Sequence, residues 1–337
     1  MSGLQRRLAL VAGTLVVLNA GAWSWALVAL HGKPAALGVA ALVYGLGLRH
    51  AVDVDHIAAI DAITRKLMQE GQRPVAVGFF FALGHSLIVV AVTALVVAVK
   101  GGLERIGEFR AIGGTVSTLV SALFLFAVAL MNVVIFVSVR RRFARLRAGA
   151  ADADPDIASL LENRGLLARL VRPLFRLVTK SWHMAPLGFV FGLGFDTATE
   201  VAVFGIAAGQ AVQGATLASV LVFPALFAAG MALVDTADGI VMVGIYDWAL
   251  VDPLRKLRYN MAITLASVVV ALVIGSLETL ALIAGKFDLR GAFWTLVATV
   301  GAHLNVLGFA LVGLFALIWG LSFAVHRMRA DGSMRAT

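Results

Sequence analysis

Eight long apolar runs divide this sequence, and they constrain its fold more than any other feature. A helix needs about 20 mostly apolar residues to cross a hydrocarbon core of about 30 Å. Because 61% of the 337 residues are hydrophobic and the mean hydropathy is +0.94, we predict an all-α, polytopic membrane protein with about eight transmembrane helices. The runs cover approximately Leu8–Leu30, Ala36–Ile63, Val75–Val99, Thr115–Val139, Met184–Gln210, Ala215–Ile245, Ala262–Ala284 and Ala292–Val325.

The basic residues between these runs predict the topology. Most of the 28 Lys and Arg residues fall in the segments that are cytoplasmic if the N-terminus is cytoplasmic. The positive-inside bias therefore predicts eight spans with both termini cytoplasmic. The net charge of +9 then belongs to loops that contact lipid headgroups rather than nucleic acid. The first run continues to Leu30, which is the length of a span and not of a cleaved signal peptide.

The longest connection, residues 140–182 between spans four and five, is basic with a short acidic patch. It is short for a separate domain. We predict a solvated cytoplasmic connector that lies on anionic lipid. Residues 1–337 then form a single membrane domain.

The second run carries an unusually polar stretch, which contains Arg49, His50, Asp53, Asp55 and His56. Each charged residue at the centre of a span costs roughly 2.5–3.5 kcal/mol, so neighbouring helices, water or a bound cation must offset that cost. Imidazole and carboxylate groups bind divalent transition metals, and the absence of Cys leaves only nitrogen and oxygen ligands. We predict a metal site formed by His50, Asp53, Asp55 and His56, with a purely structural polar network as the alternative.

The spacing of these residues bears on the shape of the helix. His50, Asp53 and His56 form one stripe about 9 Å long on an α-helix, whereas Asp55 is rotated roughly 140° from His50. Either Asp55 faces a different neighbour, or the helix is unwound after Gly47, where two glycines weaken it. A compact site that uses all four side chains requires the unwound helix.

Two blocks of the sequence repeat at nearly the same offset. Residues 44–54 align with residues 191–201, and residues 81–87 align with residues 227–233. Spans two and three therefore correspond to spans five and six, and a shift of three spans reverses direction across the membrane. This pattern predicts an inverted-topology repeat with a binding site where the two repeats meet. Chance similarity among spans rich in glycine and alanine is the alternative.

Other polar residues within the spans are expected to support the site or line a translocation path. Unpaired carboxylates at membrane depth are rare and mark function, as acceptors for imidazole N–H groups, as a cation path or as proton carriers. The role of His85 stays open, because it can be a metal ligand or a hydrogen-bonding core residue. The full set is Arg49, His85, Asp196, Glu200, Asp235 and Asp238.

Four further expectations concern pairing and packing. Arg49 and Asp196 occupy equivalent repeat positions with opposite charge, so we expect them to pair across the pseudo-two-fold axis. Asp61 and Arg65 are expected to form an i,i+4 pair on the surface. The glycine pairs 188/192 and 205/209 allow close helix approach, within the chain or between copies. Packing hydrogen bonds are expected at Asn132, His303 and Asn305.

Four motifs carry a resemblance to a known family. Residues 49–57 resemble the span-two signature R-H-A-x-D-A-D-H-I of the nickel/cobalt transporter family, with Val54 in place of the usual alanine. Residues 80–86, 193–200 and 230–238 resemble its blocks in spans three, five and six. The sequence is therefore similar to this family of eight-span permeases through most of its membrane region.

The resemblance implies high-affinity uptake of nickel, cobalt or both across the cell membrane by a secondary-type permease. It implies that His50, Asp55 and His56, with Asp53, recognise the metal. It also implies no catalysis, no cofactor and no ATPase subunit, and the sequence contains no ATP-binding P-loop. The expected partners are the dication and the lipid bilayer. Because imidazole binds metal only when neutral, uptake is expected to weaken below about pH 6.

Two alternatives remain at the level of sequence. An exporter of the same metals is one, although such proteins often carry His-rich loops and residues 140–182 contain no His. An intramembrane metalloenzyme is the other. It requires a metal-activated water and a general base, and the H-E-x-x-H motif is absent.

Overall fold

The structure is a computed structural model that describes residues 3–98, 102–147, 178–193, 198–249 and 253–302. All regular secondary structure within these ranges is helical, which confirms the all-α prediction for them. A single 3₁₀ turn, Ser181–His183, precedes α6. The helices are α1 (Gly3–Ala29), α2 (Pro34–His50), α3 (Val54–Gln69), α4 (Val77–Ala98), α5 (Gly102–Arg147), α6 (Met184–Gly192), α7 (Ala198–Val212), α8 (Leu217–Val220), α9 (Val222–Ala249), α10 (Pro253–Lys286) and α11 (Ala292–Ala302).

Several of these helices have the length and apolar composition of membrane spans. Four helical stretches within the described ranges qualify alone, and α2 with α3 forms a fifth if the bent pair is one span. Shorter apolar helices lie in three of the remaining runs, at Gly114–Leu130, Thr199–Val212 and Ala292–Gly301. The chain is therefore a multi-pass helical membrane protein. The four stretches are Gly3–Ala29, Val77–Ala98, Leu217–Gly244 and Ser267–Lys286.

The second run is broken, as a compact site requires. Helix α2 ends at His50, α3 begins at Val54, and the pair is bent by 51°. The break lies at residues 51–53 rather than directly after Gly47. Gly47 packs against the backbone of Phe227 on α9, and this contact favours a helix that continues past the glycine.

The fifth run is divided as well. Helix α6 ends at Gly192 and α7 begins at Ala198. Residues 194–197 lie outside the described residues, and so do the two positions His303 and Asn305. The expected pair of Arg49 with Asp196 therefore falls outside them too, although Arg49 itself is exposed at the end of α2.

Glycines allow the helices around the break to cross closely. A Cβ on Gly84 of α4 would overlap the backbone of Ala185, and one on Gly188 of α6 would overlap that of Phe81. Gly192 also lies against α4, at Ile88. The first glycine pair therefore packs within the chain. Gly205 and Gly209, by contrast, face open space.

The described part of the protein corrects two local expectations. Asp61 and Arg65 do pair, at 3.5 Å, but their side chains are buried and not on the surface. The reason is that α10 packs on α3 here, and Ser267 donates a hydrogen bond to Asp61. Asn132 is fully buried, and its amide has no hydrogen-bond partner among the described residues.

Candidate metal centre

Three buried histidines converge where the second run breaks. His50 ends α2, His56 lies in the first turn of α3, and His85 lies in the middle of α4. Each offers a ring nitrogen, and these nitrogens all lie within 4.8 Å of one another. His50 and His56 would be about 9 Å apart along a straight helix. The bend between α2 and α3 brings their ring centroids to 4.8 Å, so the break creates the cluster.

The histidines are packed as an interior group. Their exposed fractions are 3% or less, and the Nε2 atoms of His50 and His85 lie 3.1 Å apart. His56 packs edge-on against Phe81, with ring centroids at 4.8 Å, and His50 packs against Phe227 at 5.3 Å. Aromatic walls of this kind exclude water and lower the local dielectric constant, which strengthens any electrostatic interaction with a cation.

Two ring nitrogens have no partner within the described ranges. His56 Nε2 and His85 Nδ1 are both buried without a hydrogen bond. A buried polar atom left unpaired costs roughly 1–3 kcal/mol. Several imidazoles that meet at one point form a typical donor set for a divalent transition metal.

Helices from the second half of the chain hold the imidazoles in place. His56 Nδ1 lies 3.2 Å and 3.3 Å from the carboxylate oxygens of Asp235. His85 Nε2 lies 2.9 Å from Glu200 Oε1, and Thr199 Oγ1 lies 3.1 Å from His50 Nδ1. When Nδ1–H of His56 donates to Asp235, its Nε2 lone pair is free to bind a cation. Carboxylates in this position orient metal-binding imidazoles and increase their basicity.

The two aspartates of the break lie beside the cluster. Asp53 Oδ1 accepts a hydrogen bond from the backbone N–H of Val54 and caps α3, while its Oδ2 lies 3.9 Å from His50 Nδ1. Asp55 Oδ1 accepts from the backbone N–H of His56 at 2.9 Å. Both are partly exposed. The group of three that converges within the described ranges therefore comprises His50, His56 and His85 rather than the His and Asp residues of one helix.

The remaining candidates differ in where they lie. Glu200 and Asp235 contact the cluster directly, as just described, whereas Asp238 lies one turn beyond Asp235 on α9. Arg49 is exposed at the end of α2. His85 belongs to the cluster, although the sequence left its role open, because a lone His in an apolar span does not reveal which helix it faces.

Comparisons with known proteins concern the chain as a whole. The family described as high-affinity nickel-transport protein matches residues 36–325. The high-affinity nickel transport protein of Cupriavidus necator is 51% identical over 98% of this chain and 95% of its own length. The hydrogenase nickel incorporation protein HupN of Bradyrhizobium diazoefficiens is 50% identical over 96% and 85%, and the cobalt transport protein NhlF of Rhodococcus rhodochrous is 42% identical over 94% and 91%.

No solved structure matches the chain. The resemblance of the four sequence motifs to the nickel/cobalt transporters is nevertheless confirmed, since both the family match and the relatives extend over most of the chain. The chain therefore belongs to the high-affinity nickel-transport protein family.

Proposed function

We propose that this protein takes up nickel, cobalt or both with high affinity across the cell membrane, and that His50, His56 and His85 bind the ion on its way. The observation that carries the proposal is the convergence of three buried imidazoles in a multi-pass helical protein. Relatives named as nickel and cobalt transport proteins support the choice of metals. Imidazole suits both Ni²⁺ and Co²⁺.

Charge balance assigns a role to the surrounding carboxylates. Three neutral imidazoles leave a 2+ charge uncompensated, and a buried charge is tolerated only when it is paired. Asp235 contacts His56 and Glu200 contacts His85, so they supply compensating negative charge. Asp53 and Asp55 are partly exposed beside the cluster, and we assign them to capturing the ion and completing its coordination.

The same proposal makes the protein a permease and not an enzyme, with no cofactor and no ATPase subunit. Import of a 2+ ion through a membrane potential of 100 mV is favoured by about 5 kcal/mol. The membrane potential or a coupled ion gradient therefore suffices as an energy source.

Uptake of labelled nickel into proteoliposomes tests the function. We expect saturable uptake that excess unlabelled Co²⁺ suppresses and excess Mg²⁺ does not, because Mg²⁺ prefers oxygen ligands. Vesicles preloaded with metal provide the control for direction. Release without uptake would favour an exporter, and movement in neither direction would contradict both transport functions.

We further propose eight spans, with both termini and residues 140–182 cytoplasmic and the whole of 1–337 as one transport domain. A helix in the described part of each of the eight apolar runs supports this count. The concentration of Lys and Arg in alternate connections supports the orientation.

We also propose that spans two and three are related to spans five and six by an inverted repeat. Two helix pairs support it, because α2 packs on α9 and α6 packs on α4. The repeat relates α2 to α6 and α9 to α4, so it converts one pair into the other. The aligned residues Phe227 and Phe81 each turn their backbone carbonyl toward a glycine, Gly47 and Gly188 respectively. Those two glycines are not aligned with each other, so the crossings differ in register along the helix.

Side-specific labelling tests both the topology and the inversion. Gln72 follows the second span and Gln213 follows the fifth, both are exposed, and the chain has no native Cys. A membrane-impermeant thiol reagent should label Gln213→Cys from outside intact cells, and Gln72→Cys only after the membrane is opened. Labelling of both from the same side would contradict the inverted repeat.

A further inference from the structure

A second group of buried polar side chains lies beyond the histidines, between α3, α9 and α10. Asp61 on α3 is 2% exposed. Asp238 on α9 has a buried carboxylate oxygen, Oδ2, without a hydrogen-bond partner in the described ranges. Asp61 pairs with Arg65 and accepts a hydrogen bond from Ser267, whereas Asp238 lies one turn beyond Asp235.

Helices α3 and α9 run side by side from the metal centre to this group. His56 contacts Asp235, and further along both helices a Cβ on Gly239 would lie 3.5 Å from Ile60. Asp61 is about 7.5 Å beyond His56 along α3, and Asp238 is about 4.5 Å beyond Asp235 along α9. Asp238 therefore lies within electrostatic range of both Asp61 and Asp235.

Two buried threonine hydroxyls lie around this group. The hydroxyls of Thr64 and Thr264 are completely buried and have no hydrogen-bond partner in the described part of the chain. Thr64 is one turn after Asp61 on the same face of α3. Thr264 is one turn before Ser267, which donates a hydrogen bond to Asp61 at 3.0 Å. Both free hydroxyls therefore lie on the two helix faces that meet at Asp61.

A small cavity and a buried cation lie beside Asp61. The cavity, of about 10 Å³, is lined by Asp61 and Ser267 and otherwise by apolar residues of α3, α5 and α10, and it is about the least room that holds one water-sized particle. The guanidinium of Arg65 lies 3.5 Å from Asp61, yet none of its nitrogens makes a hydrogen bond in the described ranges. Arg65 therefore balances the charge of Asp61 through an ion pair without a hydrogen bond.

We propose that Asp61 and Asp238, with the hydroxyls around them, form a second and weaker site for the same dication, on the cytoplasmic side of the histidines. The inference rests on the proposed function and on the cytoplasmic orientation of the basic residues that follow Asp61 on α3. Carboxylate and hydroxyl oxygens bind Ni²⁺ and Co²⁺ less strongly than imidazole does. Affinity therefore falls along the path, and the ion is released inward through Asp61 and Asp238.

The test compares two isosteric variants, Asp61→Asn and Asp238→Asn, with a matched control, Asp288→Asn. Asp288 is 79% exposed, between α10 and α11, so the control makes the same chemical change away from the path. We expect each path variant to lower the maximal rate of nickel uptake about tenfold or more. Equilibrium affinity for Ni²⁺ in detergent should stay within about twofold of wild type, because the histidines set it. The control should match wild type in both measurements.

Three results separate the possibilities. Wild-type uptake rates in both path variants would overturn the second site and leave the proposed function intact. Parallel loss of uptake and of equilibrium affinity would also overturn it, since the residues would then act on the histidine cluster. Absence of any uptake by the wild-type protein would contradict the proposed function itself.

Asp238→Glu and Thr264→Val keep the test decisive if an asparagine variant does not fold. Asp238→Glu retains the charge and should restore more uptake than Asp238→Asn. Thr264→Val removes a proposed oxygen ligand with little change of shape, and should lower the maximal rate severalfold at unchanged affinity. An unchanged maximal rate in Thr264→Val would count against the site.

Discussion

His56→Ala should reduce nickel uptake about 100-fold or more, since loss of a residue that merely supports a metal ligand already costs about 10–100-fold. His56 is 0% exposed, and its Nε2 has no partner in the described ranges. Its loss removes one of three nitrogen donors. It also leaves the fully buried Asp235 without its imidazole partner, and an uncompensated buried charge is strongly destabilising.

Initial rates of labelled nickel uptake, normalised to the amount of inserted protein, measure this effect. His31→Ala is the matched control, because His31 is exposed in the connection after α1 and should transport normally. Uptake by His56→Ala within about threefold of wild type, far short of the loss typical of metal ligands, would show that the cluster does not bind the transported ion.

Gly47→Ala should destabilise the protein severely, whereas Gly45→Ala, two residues earlier on the same helix, should be tolerated. A Cβ on Gly47 would overlap the backbone of Phe227, and backbone cannot move aside as a flexible side chain can. Overpacking of this kind costs about 1–3 kcal/mol and occasionally more. Gly45 faces open space, so alanine there gains up to about 1 kcal/mol of helix propensity.

Thermal unfolding in detergent distinguishes the two variants, with the fraction of protein that stays monodisperse as the readout. We expect a lower midpoint for Gly47→Ala only. Because α2 ends at His50, separation of α2 from α9 also displaces the metal centre, so nickel affinity should fall in the same variant. Equal midpoints for the two variants would mean that α2 and α9 do not cross at Gly47.

The sequence predicts the helical membrane fold and the position of the polar stretch for a clear physical reason. Long apolar runs have few alternatives to spanning helices. Charged and imidazole groups within them are costly enough to mark a function. Both arguments depend only on local composition, so they hold before any packing is known.

Features that depend on packing between distant segments were harder to predict from the sequence. His85 joins the histidines because α4 lies beside the break, and an isolated His in span three does not reveal that. The pair of Asp61 and Arg65 was expected on the surface because i,i+4 spacing describes one helix, whereas α10 buries it from a distance of about 200 residues in sequence. The break occurs at residues 51–53 rather than at the glycines because Gly47 is held by α9.

The two sites that we propose would give the path a direction. Ring nitrogens meet at the break in the second run, and carboxylate and hydroxyl oxygens form the second site that we propose along α3 and α9. A permease must hold its ion tightly enough to select it and weakly enough to release it. The proposed strong site, followed by a weaker one, meets both requirements.

X-ray absorption at the nickel edge, on purified protein loaded with one Ni²⁺ per chain, tests the central claim most directly. It reports which atoms surround the ion, independently of transport rate. We predict a first shell that contains three imidazole nitrogens, with one fewer in His85→Ala. A shell made only of oxygen, or one that is unchanged when His50, His56 and His85 are replaced, would contradict the account.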